Sequence, residues 1–162
     1  MTKNTFLLLA LLAALPARAG LDQHPDLNLE AARRLAEGAQ QACRSQGRAI
    51  AVAVLDRGAQ VLVLQRDGSV GPHNAEASRR KAYTALSTRK PTLALARDAH
   101  STPDARNLAN LPELLLLGGG IPLLVQGKPV GAIGVAGGGG AANDHACALA
   151  ALKTVPELDQ IQ

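Results

Sequence analysis

The residues able to do chemistry are few and cluster at the ends of predicted elements. His73 stands in Gly71-Pro72-His73-Asn74, a glycine-proline loop running into a helix, where a stiffened backbone can present an imidazole outward. Arg79, Arg80 and Lys81 follow about two turns later and could meet an anion. Asp144-His145 opens the last helical segment. Carboxylate and imidazole together suit iron or another transition metal, although adjacent helical residues point ~100° apart and seldom chelate one ion alone. Gly137 to Gly140 precedes that helix and could offer backbone N–H groups to an anion, a short carboxylate for example. The loop lacks the lysine and Ser/Thr of a P-loop and the downstream acid of a dinucleotide turn. No nucleophile elbow, HExxH or CxxC motif is present. Plainer alternatives stand beside each of these. His73 could be a surface histidine at a helix start, the three cations a solvated face, and the glycines a turn that lets a helix pack.

The N-terminal segment decides what the composition means. Lys3 precedes an unbroken apolar run from Phe6 to Leu15, then Pro16 and the small-x-small Ala17-Arg18-Ala19. This is the pattern of a cleavable secretory signal over residues 1–19, too short for the ~20 residues that span a bilayer. A retained anchor or a buried helix is the alternative. No lipobox cysteine follows, and no later stretch is apolar enough to insert in a membrane. Of 17 Lys and Arg, Lys3 and Arg18 lie in that segment, leaving 15 against 13 Asp and Glu. The basic balance therefore argues little for nucleic acid, and with Phe6 gone Tyr83 is the only aromatic, so no base-stacking platform exists. Residues 20–162 suffice for one domain with its own core. Cys43 and Cys147 are then permitted to pair in an oxidising compartment, or to remain two buried thiols.

The elements that must position these groups are legible from periodicity. Asn28 caps a helix carrying Leu29, Ala32, Leu35, Ala36, Ala39 and Cys43 on one side and ending at Gly47. Ile50–Leu55 and Val61–Leu64 read as a hairpin around Arg57-Gly58. A helix over about 74–86 shows a narrow face of Ala75, Ser78, Ala82 and Ala85, suited to close approach to a sheet. After Pro91, Thr92 caps a shorter helix to about Ala99, and residues 100–112 are irregular. Leu114–Leu117 is predicted as a third strand, with a sharp turn at Gly118-Gly119-Gly120. Ile121–Val125 and Val130–Val135 pair around Gly127-Lys128, a type II′ signal. Asn143 caps a last helix to about Thr154. The order α-β-β-α-α-β-β-β-α predicts an α+β fold, a five-stranded antiparallel sheet with helices packed on it.

Several segments resemble one family when taken in order. They are Ala51-Val52-Ala53-Val54-Leu55-Asp56-Arg57-Gly58, Arg66-Asp67-Gly68, Lys81-Ala82-Tyr83-Thr84-Ala85, Leu117-Gly118-Gly119-Gly120-Ile121-Pro122, Val130-Gly131-Ala132-Ile133-Gly134-Val135-Ala136-Gly137 and Asn143-Asp144. Together they look like the GlcG/HbpS family of small haem-binding proteins, across residues 20–162. The resemblance implies the five-stranded sheet and oligomers from dimers to larger rings. It implies haem or iron binding in exported members, some acting beside membrane sensors, and a link to glycolate or diol metabolism in intracellular ones. With export, it points to a periplasmic or extracellular protein that takes up, stores or senses haem b, with iron alone as the alternative ligand. His73 becomes the candidate axial ligand, since exported members often carry Gly-Pro-His here, and Arg79, Arg80 or Lys81 could meet propionates. Relatives more often carry an acid at position 145, which leaves an iron site at Asp144 and His145 in question. A haem-degrading or peroxidase-like enzyme is the alternative function, and a small-carboxylate-binding accessory protein the third. The scarcity of aromatics favours a shallow or subunit-shared haem site, with Tyr83 expected in the core. His24 and His100 are expected at the surface.

Overall fold

A computed structural model describes Gly20 and residues 22–160. The expected signal segment, residues 1–19, lies outside the described residues.

Helix α1 (Leu29–Arg44) begins where Asn28 accepts a hydrogen bond from the Ala31 N–H at 2.9 Å. Its apolar stripe buries Ala32, Leu35, Ala36, Ala39 and Cys43 completely. Strands β1 (Ala51–Asp56), β2 (Val61–Arg66), β3 (Gly120–Val125) and β4 (Lys128–Ala136) form one antiparallel sheet in the order β2-β1-β4-β3. Side chains alternate across it. Val52, Val54, Ile121, Leu123, Ile133 and Val135 form one core with α1 and α5 (Ala141–Leu152).

The opposite face carries small residues. Gly134 pairs with Gly120 on one side and Ala53 on the other, and this row lets α2 (His73–Thr88) lie almost on the backbone. A Cβ on Gly134 would run into the Ser78 carbonyl, and one on Gly120 into that of Lys81. Ser78, Ala82 and Ala85 supply the matching small face of α2 and are fully buried. Tyr83 packs, partly buried, against Leu55, Ala82, Ala85 and Ala132.

The sheet has four strands rather than five. Leu114–Leu117, expected as a strand, is irregular because its backbone is satisfied by helix side chains instead of a ladder. The Leu114 carbonyl accepts from Arg80 at 2.7 Å, the Leu115 N–H donates to Thr84 Oγ1 at 2.8 Å, and the Leu117 carbonyl accepts from Thr92 Oγ1 at 2.8 Å. The element order also gains a short helix α4 (Pro103–Arg106) and a 3-10 turn (Asn107–Asn110) after α3 (Thr92–Ser101). The β3–β4 turn is Gln126-Gly127, both at positive φ (52° and 73°), so it is type I′ and not II′. That geometry matches strand twist, and the Asp159 carboxylate receives both turn amides at 2.9 and 2.7 Å. Helix α5 starts after Gly140, two residues before Asn143, whose amide donates back to the Gly139 carbonyl at 3.0 Å.

Cys43 and Cys147 form a disulfide joining α1 to α5. Among the described residues no helix is long and apolar enough to cross a membrane.

Candidate functional site

His73 is the first residue of α2 and is exposed. Pro72 precedes it, so the turn before the helix is stiff. Gly71 makes room for the ring, since a Cβ there would stand 3.0 Å from His73 Cε1 and 3.1 Å from Nδ1. The imidazole thus lies back over the loop with access from solvent.

The three consecutive cations have separate surroundings, because each helical step turns ~100°. Arg79 is a surface residue gripped by Glu76, with Nε to Oε2 at 2.9 Å and Nη2 to Oε1 at 2.7 Å. That bidentate hydrogen bond holds the Glu76 carboxyl below its usual range. Arg80 donates to the Pro112 and Leu114 carbonyls, both at 2.7 Å, and so fastens the irregular leucine segment onto α2. Lys81 is only 1% exposed. Its ammonium donates to the Val135 carbonyl at 2.9 Å and to Asp144 Oδ2 at 2.7 Å. A propionate arriving from solvent would meet Arg79 and not Lys81.

Asp144 and His145 likewise part company. Asp144 is 4% exposed, and its second oxygen accepts the Gly138 N–H at 2.7 Å. The carboxylate therefore joins α2 to the glycine loop, and the Lys81 ammonium ties both to the end of β4. His145 is half-buried. Burial, with Arg97 adding to it, pushes its pKa below the ordinary 6.5, and its Nδ1 is buried with no partner among the described residues. Among the described residues no three His, Cys, Asp or Glu side chains gather as a metal cluster. His24 and His100 are exposed.

Sequence reasoning did not find the cleft next to His73. It is an open pocket of about 460 Å³ lined by the α1–β1 turn (Gly47, Arg48, Ala49), the β2–α2 loop (Ser69, Val70, Gly71, with Asn74) and Gly137, Gly138 and Gly139. Arg48 crosses it, donating from Nη1 to the Gly138 carbonyl at 2.6 Å. The only local signal was the glycine run, because the three walls lie far apart in sequence.

The comparisons with known proteins agree with this architecture. The family model described as "Haem degrading protein HbpS-like" matches residues 27–153. The chain belongs to the HbpS-like family. A double mutant of HbpS from Streptomyces reticuli is 38% identical with a TM-score of 0.79, over 88% of this chain and 97% of that one. Protein GlcG from Escherichia coli is 30% identical over 109 residues, 67% of this chain and 80% of that protein. A PduOC–haem complex, at 20% identity and a TM-score of 0.74 over 85% of this chain and 99% of that one, shares the fold.

Proposed function

We propose that this chain is an exported protein that binds haem b for uptake, storage or sensing, with His73 as axial ligand. Family membership carries the haem assignment, and the relatives include HbpS at 38% identity. The accessible imidazole supports the choice of ligand. It is exposed, makes no hydrogen bond among the described residues, and sits on a stiff helix start. These properties fit an axial ligand, and Arg79, the cation of the three that pairs only with an exposed acid, could meet a propionate by exchanging Glu76 for it. Bound haem would supply the redox-active iron; the chain would supply the imidazole and the charge that orients the propionates. A second copy of the chain would add cover to a haem held at so exposed a helix start. The signal-like segment 1–19 and the Cys43–Cys147 bond support periplasmic or extracellular location.

Haemin titration of the purified protein, followed at the Soret band, tests the proposal. His73→Ala should lose the axial-ligand signature and weaken binding, while His100→Ala should do neither. An unchanged spectrum and affinity in His73→Ala would remove His73 from the site. The family description favours a second reading, haem degradation. Loss of the Soret band with reductant and oxygen, accompanied by iron release, would select it.

A further inference from the structure

The open cleft beside His73 has the makings of a second binding site. Among the described residues Arg48 is the only charged one that lines it, and no acid does. A second guanidinium stands at its rim, where Arg66 donates to the Val70 carbonyl. Two acids close by are occupied. Asp144 is held below the floor by Lys81 and the Gly138 N–H. Asp67 is turned into its own loop by the Ser69 N–H and O–H, at 3.0 and 2.7 Å, which hold its carboxyl below the usual range.

The floor is bare backbone, and only glycine permits it. Gly137, Gly139 and Gly140 have φ of 96°, 83° and 132°, a region that L side chains rarely enter. Gly138 has no room for a side chain, since a Cβ there would stand 2.8 Å from Asp144 Oδ1. The Gly139 and Gly140 amides make no hydrogen bond among the described residues. Arg48 is fixed as the cation of the cleft: its Nη1 is seated on the loop, and its Nε is buried with no partner among the described residues.

We infer that this cleft binds a carboxylate, held by the Arg48 guanidinium and the glycine-loop amides. The chemistry fits, because a carboxylate takes a guanidinium and backbone N–H donors together, and the floor is open to solvent. The carboxylate has two candidate sources: a free short-chain acid, or a propionate of the haem. The site itself stands without haem; only the propionate source rests on the function proposed above.

Two titrations of the intact, disulfide-bonded protein test this. In the first, acetate and propionate are added while backbone amide NMR shifts are followed. Shifts at Gly137 to Gly140 are expected, and Arg48→Ala should weaken the binding by roughly tenfold or more, the loss of one charge-assisted contact. Asn74→Asp places a negative charge on the cleft wall without touching Arg48, and should weaken binding as well. In the second, haemin is compared with its dimethyl ester. Tighter binding of haemin that Arg48→Ala abolishes assigns a propionate to the cleft. Equal binding of haemin and ester, with the acetate response intact, assigns a free acid. The inference is overturned if neither acid shifts the loop amides and haemin affinity is indifferent to Arg48 and Asn74. Failure of haemin to bind at all would sink the haem proposal, and the acetate titration would still decide the cleft.

Discussion

The Lys81–Asp144 pair offers the sharpest test of how this fold holds its site. The two groups are 1% and 4% exposed, so water cannot replace a lost partner. Asp144→Asn keeps the shape and an oxygen for the Gly138 N–H but removes the counter-charge of the ammonium, 2.7 Å away. Removing one partner of a buried ion pair costs about 3–5 kcal/mol, because the remaining charge is left desolvated. At ~2.1 cal/mol/K of unfolding entropy per residue, the 140 described residues translate ~4 kcal/mol into a fall in Tm of roughly 14 °C. Lys81→Met should lose a similar amount by stranding the carboxylate. The double variant should regain much of the loss, since an uncharged pair of similar volume leaves no unpaired charge buried. Urea unfolding followed by far-UV circular dichroism, on oxidised protein at neutral pH, gives all four corners of the cycle. Raising salt should change the coupling little, because a buried pair is poorly screened. A cost below about 1 kcal/mol for Asp144→Asn, or a double variant no better than the worse single one, would refute the reasoning.

Three further outcomes are expected. Replacing both Cys43 and Cys147 with alanine should cost up to about 4.7 kcal/mol, the chain-entropy value for a separation of 104 residues; a urea midpoint equal to that of the oxidised wild type would count against a closed bond. His145 has a folded pKa below its unfolded value of 6.5. Above that pH both states are neutral; as pH falls through it the unfolded chain takes up the proton first, so stability drops with acidification. His145→Gln should flatten that part of the stability–pH curve, and an unaltered slope would show that other groups cause it. Gly134→Ala should destabilise by about 1–3 kcal/mol or more, because its Cβ would meet the Ser78 carbonyl; a thermal melt within 1 °C of wild type would mean that α2 is not seated on that glycine row.

Much of the fold was legible in the sequence because it is local. The helical spacing of Leu29 to Cys43, the Asn28 cap and the apolar runs of β1 and β4 each specify an element without reference to the rest. The narrow small face of α2 announced close packing, and the glycine row on the sheet accepts it. Leu114–Leu117 misled for a physical reason. Four consecutive leucines satisfy the apolar pattern of a strand, but whether their backbone pairs with a neighbouring strand or with Arg80, Thr84 and Thr92 depends on which partners arrive.

The site divides along the same line. Sequence alone determined that an imidazole would stand at a stiff helix start and that the glycine run would leave backbone bare. Each follows from residue type and immediate neighbours. Tertiary structure alone decided what the charges do. Arg79, Arg80 and Lys81 are adjacent in the chain, yet one faces an exposed glutamate, one holds a loop, and one is buried against an acid 63 residues away. Cys43 finds Cys147, and Arg48 finds the Gly137–Gly140 loop, over comparable distances along the chain. A charge's role is set by its dielectric surroundings and its partner, and both are properties of the packed fold rather than of neighbouring residues.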